Sequence, residues 1–169
     1  MAGNQGQALL AAYDDALPHV YGYLLSRCGR VALAEDLTSE TFLAAASAAS
    51  RGQPATGVST AWLVGVARHK LADHWRRLAR EERGLESAGE GQRHEDPWEA
   101  ELDAIRARSV LEKLVPSYRA ALTLRYLDDL PVPEIADLLH RTVHSTEGLL
   151  VRARSAFRRA YTAGEVGDA

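Results

Sequence analysis

The chain has 169 residues, 46% hydrophobic content and a formal net charge of −3, enough apolar material for one moderate core or two small ones. No apolar run approaches the roughly 20 residues that a bilayer crossing requires, and the start, MAGNQGQALLAAYDD, lacks the basic flank and continuous apolar stretch of a secretory signal, so neither membrane insertion nor export is expected and a cytoplasmic, reducing location is the default expectation. The single cysteine, Cys28, rules out an internal disulfide and reads as a small apolar residue within a helix.

Residues up to about Gly6 are small and polar and are expected to fray. From Ala8 to Cys28 the residues Leu9, Leu10, Tyr13, Leu17, Val20, Tyr21, Leu24 and Leu25 recur at three and four, which predicts a helix or a pair of helices, with Pro18 opening the second or bending a single one. Gly29 comes next as a natural left-handed C-terminal stop. The alanine-rich segment LAEDLTSETFLAAASAAS is strongly helix-forming, with Leu33, Leu37, Thr41, Ala44 and Ala48 as its core stripe. Asp36, Glu40 and Leu43 fall just off the edge of that stripe, and Phe42 points away from Leu37. Either the helix packs on more than one side, or a large apolar residue and two carboxylates remain for a partner. Arg51 to Ser59, RGQPATGVS, contains two glycines and a proline and predicts a loop, with Ser59 or Thr60 capping the next helix.

Thr60 to Arg83 combines a clean helical period with concentrated positive charge. Val64, Ala67, Leu71, Trp75 and Leu78 form the inward stripe, and Trp62, Val66, His69, Asp73, Arg76, Arg77 and Arg80 lie opposite. Six cations, Arg68, Lys70, Arg76, Arg77, Arg80 and Arg83, stand against Asp73, Glu81 and Glu82, whereas the chain as a whole is acidic. Such segregation suits nucleic acid, since cations neutralise phosphates and an aromatic ring can stack on an unpaired base.

After Arg83 the composition changes. Gly84, Gly89, Gly91, Ser87 and Pro97 interrupt any helix, and from Gly84 to Ala104 seven acids face the lone Arg93, so residues 84–97 read as a flexible acidic linker. Trp98 is expected to begin a second domain, spanning 98–162, with 8–83 as the first. Leu102, Ile105, Val110, Leu111 and Leu114 predict one helix there, and Pro116 opens another through Tyr126 that Leu130-Pro131 closes. Glu134 to Leu139, a turn from His140 to Val143, and Ser145 to Tyr161 then make a helix-turn-helix. Leu149, Ala153, Ala156, Phe157 and Ala160 face inward in its second helix, and His144, Gly148, Val151, Arg152, Ser155, Arg158 and Arg159 face outward. A short helix, a turn and a basic second helix can lay one face in the major groove while arginines hold phosphates. The expected fold class is therefore all-α: two small helical domains on a flexible acidic linker, the C-terminal one a helix-turn-helix.

The order DLTSETFLAA, TAWLVGVARHKLADHWRR, an acidic linker, LVPSYRAALTLRYLDDLPVPEIADLL and RTVHSTEGLLVRARSAFRRAY resembles that of bacterial extracytoplasmic-function sigma factors, the minimal two-domain members of the RNA polymerase sigma family. The resemblance spans Tyr13 to Tyr161. It implies that Asp36, Leu37, Ser39, Glu40 and Phe42 meet the beta-prime clamp helices of the RNA polymerase core, with the beta flap as a further contact. It implies that the Arg51 to Ser59 loop captures a flipped base of the promoter minus-ten element, which Trp62, Arg68, His69, Lys70, Asp73, Arg76, Arg77 and Arg80 recognise and help open. Arg141, Thr142, His144, Ser145, Gly148, Arg152, Ser155 and Arg159 are then expected to read the minus-thirty-five element as duplex DNA, while the linker passes near the RNA exit path. An anti-sigma factor is an implied partner. No catalysis, cofactor or metal is expected.

Three departures stand out. Many relatives have asparagine at the position of His69 and glycine at that of His140, and a Gly-Thr-Val-Lys-Ser-Arg run where this chain has His144-Ser145-Thr146-Glu147-Gly148-Leu149. A lysine and an arginine are thus missing from the front of the recognition helix. The rival reading is a stand-alone helix-turn-helix regulator acting as a dimer on a palindrome, which would leave the tryptophan-bearing basic helix without a purpose. A metal protein is a weaker rival: His69 with Asp73 and His140 with His144 are four apart, but arginines surround the first pair and a turn divides the second.

Overall fold

The computed structural model describes residues 2–83 and 104–164. The acidic linker at 84–97, Trp98 and Leu102 lie outside the described residues. Within them the chain is all-α, with no strand, and runs α1 (Ala2–Cys28), α2 (Val31–Ser50), α3 (Thr60–Glu82), α4 (Ala104–Lys113), α5 (Pro116–Leu122), a π-helical turn (Thr123–Leu127), α6 (Val132–Leu138) and α7 (Val143–Ala163). It divides into two compact units, with the division at Ala72/Asp73 inside α3.

In the first unit α1 and α2 pack side by side. One expectation for α1 needs correction: the helix already begins at Ala2, ahead of the expected Ala8, because extending an existing helix by one residue costs far less than starting one. Of the two readings left open at Pro18, the structure has the single helix, with Pro18 exposed. The carbonyl four residues back, left without its usual amide partner, belongs to exposed Asp14 and is open to water. Gly29 adopts φ +68 and its amide donates to the Leu25 carbonyl at 2.9 Å, so the chain reverses where a left-handed residue was expected.

The buried line of α2 is Ala34, Leu37, Thr38, Thr41, Ala45 and Ala49, displaced by a residue from the expected Ala44 and Ala48, which are half-buried. Its two buried threonines donate to carbonyls of their own helix, Thr38 to Ala34 at 2.6 Å and Thr41 to Leu37 at 2.7 Å, so neither hydroxyl is orphaned. In α3 Leu63, Ala67, Leu71, Ala72, Trp75 and Ala79 are buried, whereas Val64 and Leu78 of the expected stripe are half-buried.

In the second unit Val110, Leu122, Ala153 and Phe157 form a core cluster, joined by Leu111, Leu114, Tyr118 and Tyr161 at its edge. Pro116 opens α5 as its first residue, where a missing amide costs nothing. Helices α4, α5 and α6 all pack on α7, so the last helix is the spine of this unit. Burial of Leu149, Ala153 and Phe157 matches the expected inward face, and Thr146 and Leu150 join it.

Candidate nucleic-acid interface

On α2 the carboxylates of Asp36 and Glu40 and the hydroxyl of Ser39 are exposed, and Leu43 is 71% exposed beside them. Leu37 is only 1% exposed, so it anchors the helix beneath that surface instead of meeting a partner directly. Phe42 is half-buried, its ring 4.7 Å from that of Tyr13 on α1 and tilted by 59°. The helix thus packs on a second side, and the large apolar residue is partly satisfied within the unit.

The Arg51 to Ser59 loop turns on two glycines in left-handed backbone, Gly52 at φ +77 and Gly57 at φ +91. Pro54 is buried within it, and the Gly57 amide donates to the Pro54 carbonyl at 3.0 Å. Ser59 caps α3: its Oγ accepts from the Trp62 amide at 3.1 Å. From that fixed start, Trp62 is half-buried and His69, Asp73, Arg77 and Arg80 are exposed, one turn after another. Arg76 is ion-paired to Asp73, and Nη2 of Arg77 lies 3.3 Å from Nδ1 of His74. Partial burial, and then the guanidinium of Arg80, push Arg76 below the ordinary arginine range, so an incoming phosphate would relieve a local excess of positive charge.

Arg68 is placed differently from its neighbours. It turns toward α1, with its guanidinium 5.9 Å from the ring centroid of Tyr23. Tyr23 and Arg27, whose guanidinium lies 4.4 Å from the same ring, were left out by sequence reasoning, because no periodicity within α1 reveals which of its residues faces α3.

The helix-turn-helix starts α7 with Thr142, whose Oγ1 accepts from the Ser145 amide at 3.1 Å. Arg141 donates through Nη1 to Ser145 Oγ at 3.0 Å. Burial comes first among the causes that lower the Arg141 pKa, and nearby arginines, Arg152 among them, add to it. A Cβ at Gly148 would sit 3.3 Å from Nη1 of Arg152, so that arginine lies back along the helix over the glycine. His144 and Arg159 are exposed, and Arg152 and Ser155 are half-buried. His140 has φ +52, a left-handed conformation that costs a residue with a side chain about 1–2 kcal/mol and that glycine adopts freely. A glycine at this point would have a backbone reason.

The arrangement offers phosphates two cationic helical surfaces and offers bases a tryptophan, histidines and short hydroxyls. Among the described residues no group of three or more His, Cys, Asp or Glu is placed to hold a metal, and no helix is long and apolar enough to cross a membrane.

Comparison with known families matches residues 12–81 to Sigma-70 region 2 and residues 105–157 to Sigma-70, region 4. The chain is 32% identical over 146 residues to the ECF RNA polymerase sigma factor BldN of Streptomyces coelicolor, a match covering 83% of this chain and 55% of that protein, so it spans little more than half the length of that relative. It is 32% identical over 160 residues to the probable RNA polymerase sigma-C factor of Mycobacterium bovis, covering 92% of this chain and 84% of that one. Among solved structures, the sigma factor RpoE in complex with the anti-sigma factor NepR from Bartonella quintana superposes with a TM-score of 0.53 at 20% identity, covering 87% of this chain and 92% of that one, a likeness of fold.

Proposed function

The chain belongs to the sigma-70 family of RNA polymerase sigma factors, in its extracytoplasmic-function group, and from that premise we propose that it directs initiation by recognising both the minus-ten and the minus-thirty-five promoter elements. In this reading residues 8–83 hold the core enzyme and the minus-ten element, and residues 98–162 hold the minus-thirty-five element. Exposed Asp36, Ser39 and Glu40, set on a helix that Leu37 anchors, engage the clamp of the polymerase. The loop between α2 and α3 receives an extruded base, whose stacking and hydrogen bonds offset an unstacking cost of a few kcal/mol. Trp62, His69 and the arginines of α3 hold the opened strand, and Arg141, Thr142, His144, Ser145, Arg152 and Arg159 meet duplex DNA upstream. The chemistry of transcription stays with the polymerase.

The supporting observation is the presence, in one chain and in family order, of the two matched segments, each ending in a helix rich in cations. Neither surface alone needs to bind tightly. Fixed on the core enzyme at the spacing of the two elements, weak contacts add through effective concentration, while the chain's net charge of −3 keeps the free protein from binding DNA indiscriminately. The same faces suit an anti-sigma protein that covers them until release. Run-off transcription with bacterial core polymerase and a genomic promoter pool, with and without the chain, is the test. Promoter-specific transcripts that depend on the chain are expected; failure to associate with core polymerase at low salt, without any inhibitor, would end this reading.

A further inference from the structure

We propose that the cleft between the last turns of α3 and the turn leading into α7 is a binding site for a linked chain of phosphates, an oligophosphate anion. Every residue that lines it lies after Ala72 and so within the second unit. One wall carries Arg76, Arg80 and Arg83 of α3, and the other carries His140, Arg141 and Thr142. Arg76 donates through Nη1 to His140 Nδ1 at 3.0 Å, which ties the two walls together. The space between them is about 400 Å³, within the range of small-ligand sites.

The charge in this cleft is one-sided. No carboxylate lines it, and Asp73, outside the lining, is engaged with Arg76. Among the described residues Arg80, Arg83 and Arg141 have no acidic partner, and Arg141 spends one donor on Ser145 Oγ at 3.0 Å. Their crowding is felt at Arg141, whose pKa is lowered first by burial and then by Arg83 and Arg152. Thr142 adds the N-terminal end of α7, a helix of 21 residues, whose first amides favour an anion. Guanidiniums hold phosphate oxygens through paired donors. One phosphate cannot serve arginines on both walls, whereas linked phosphates set oxygens along the whole cleft. Duplex DNA is a poor occupant, because the bond from Arg76 to His140 keeps the walls close. The site stands without the promoter reading and adds regulation to it: Arg80 and Arg141 also belong to the proposed promoter surfaces, so filling the cleft and binding promoter DNA compete.

The probe is sodium tripolyphosphate, titrated into the free full chain by isothermal titration calorimetry in about 0.15 M salt, where exposed charges are screened beyond about 8 Å. Binding at one site is expected, with orthophosphate clearly weaker. Arg83→Gln and Arg141→Gln should each weaken binding about tenfold, the loss for one hydrogen bond to a charged group. Arg30→Gln, at an exposed position of the first unit, should leave it unchanged. Arg83 is exposed, so its replacement probes the cleft with little cost to the fold. Absence of binding by wild type would overturn the inference, as would equal weakening by Arg30→Gln or orthophosphate binding as tight as that of tripolyphosphate. Neither promoter nor polymerase is present, so a failure here leaves the promoter-binding role standing, and a failure of run-off transcription leaves the anion site standing.

Discussion

Replacing Thr142 by alanine is the sharpest test of how the last helix is held. The Thr142 hydroxyl accepts from the Ser145 amide at 3.1 Å, and its carbonyl accepts from the Thr146 amide at 3.0 Å and from Thr146 Oγ1 at 2.9 Å. Thr142→Ala removes only the first of these three bonds. Loss of a capping hydroxyl costs about 1 kcal/mol within a range of roughly 0.5–2 kcal/mol, and the exposed position of Thr142, where water can reach the freed amide, argues for the middle of that range. Because α4, α5 and α6 all pack on α7, the cost is felt by the whole C-terminal unit. For a domain of about 60–100 residues it corresponds to a fall in melting temperature of about 4–8 °C. Far-UV circular dichroism on the full chain would measure it, with Thr142→Ser as the control that keeps the acceptor and most of the stability. An unchanged midpoint for Thr142→Ala would refute the capping argument, as would an equal loss for Thr142→Ser.

Phe157→Ala should be far more damaging: Phe157 is 3% exposed among Val110, Leu122 and Ala153 and stacks on Tyr161 at 5.8 Å, and a loss of about 3–5 kcal/mol, read as a lower denaturant midpoint, is expected from the cavity and the transfer cost. Asp36→Arg and Glu40→Arg, both at exposed positions, should shift stability by no more than about 0.5 kcal/mol yet weaken association with core polymerase; unaltered affinity in a binding titration would count against the clamp assignment. Arg76→Ala combined with Arg77→Ala should abolish open-complex formation, scored by reactivity of unpaired promoter thymines, more than it weakens core binding. Survival of transcription at physiological salt after that double change would remove α3 from the minus-ten role.

The sequence by itself determined what is local. Gly29 as a left-handed stop, a cap for α3 at Ser59 or Thr60, which the structure gives to Ser59, Pro116 as the first residue of α5 and the helix-turn-helix near Thr142 each depend on hydrogen bonds or steric limits within a few residues. The two basic surfaces were legible because charge and period are properties of composition along the chain. Where neighbours decide, the reading slipped. From Ala44 to Ser50 every position of α2 is alanine or serine, so hydrophobic contrast could not separate Ala45 and Ala49, which are buried, from Ala44 and Ala48, which are not. Leu37 could be assigned both to a core stripe and to a partner surface until its burial showed that the helix uses it inward. Likewise, that Phe42 rests on Tyr13 and that Arg68 turns to Tyr23 depended on how α1 lies against its neighbours. Such pairings join residues about 30 and 45 positions apart, beyond the reach of the helical periods that relate residues three or four apart, and only packing of one helix surface on another could select them.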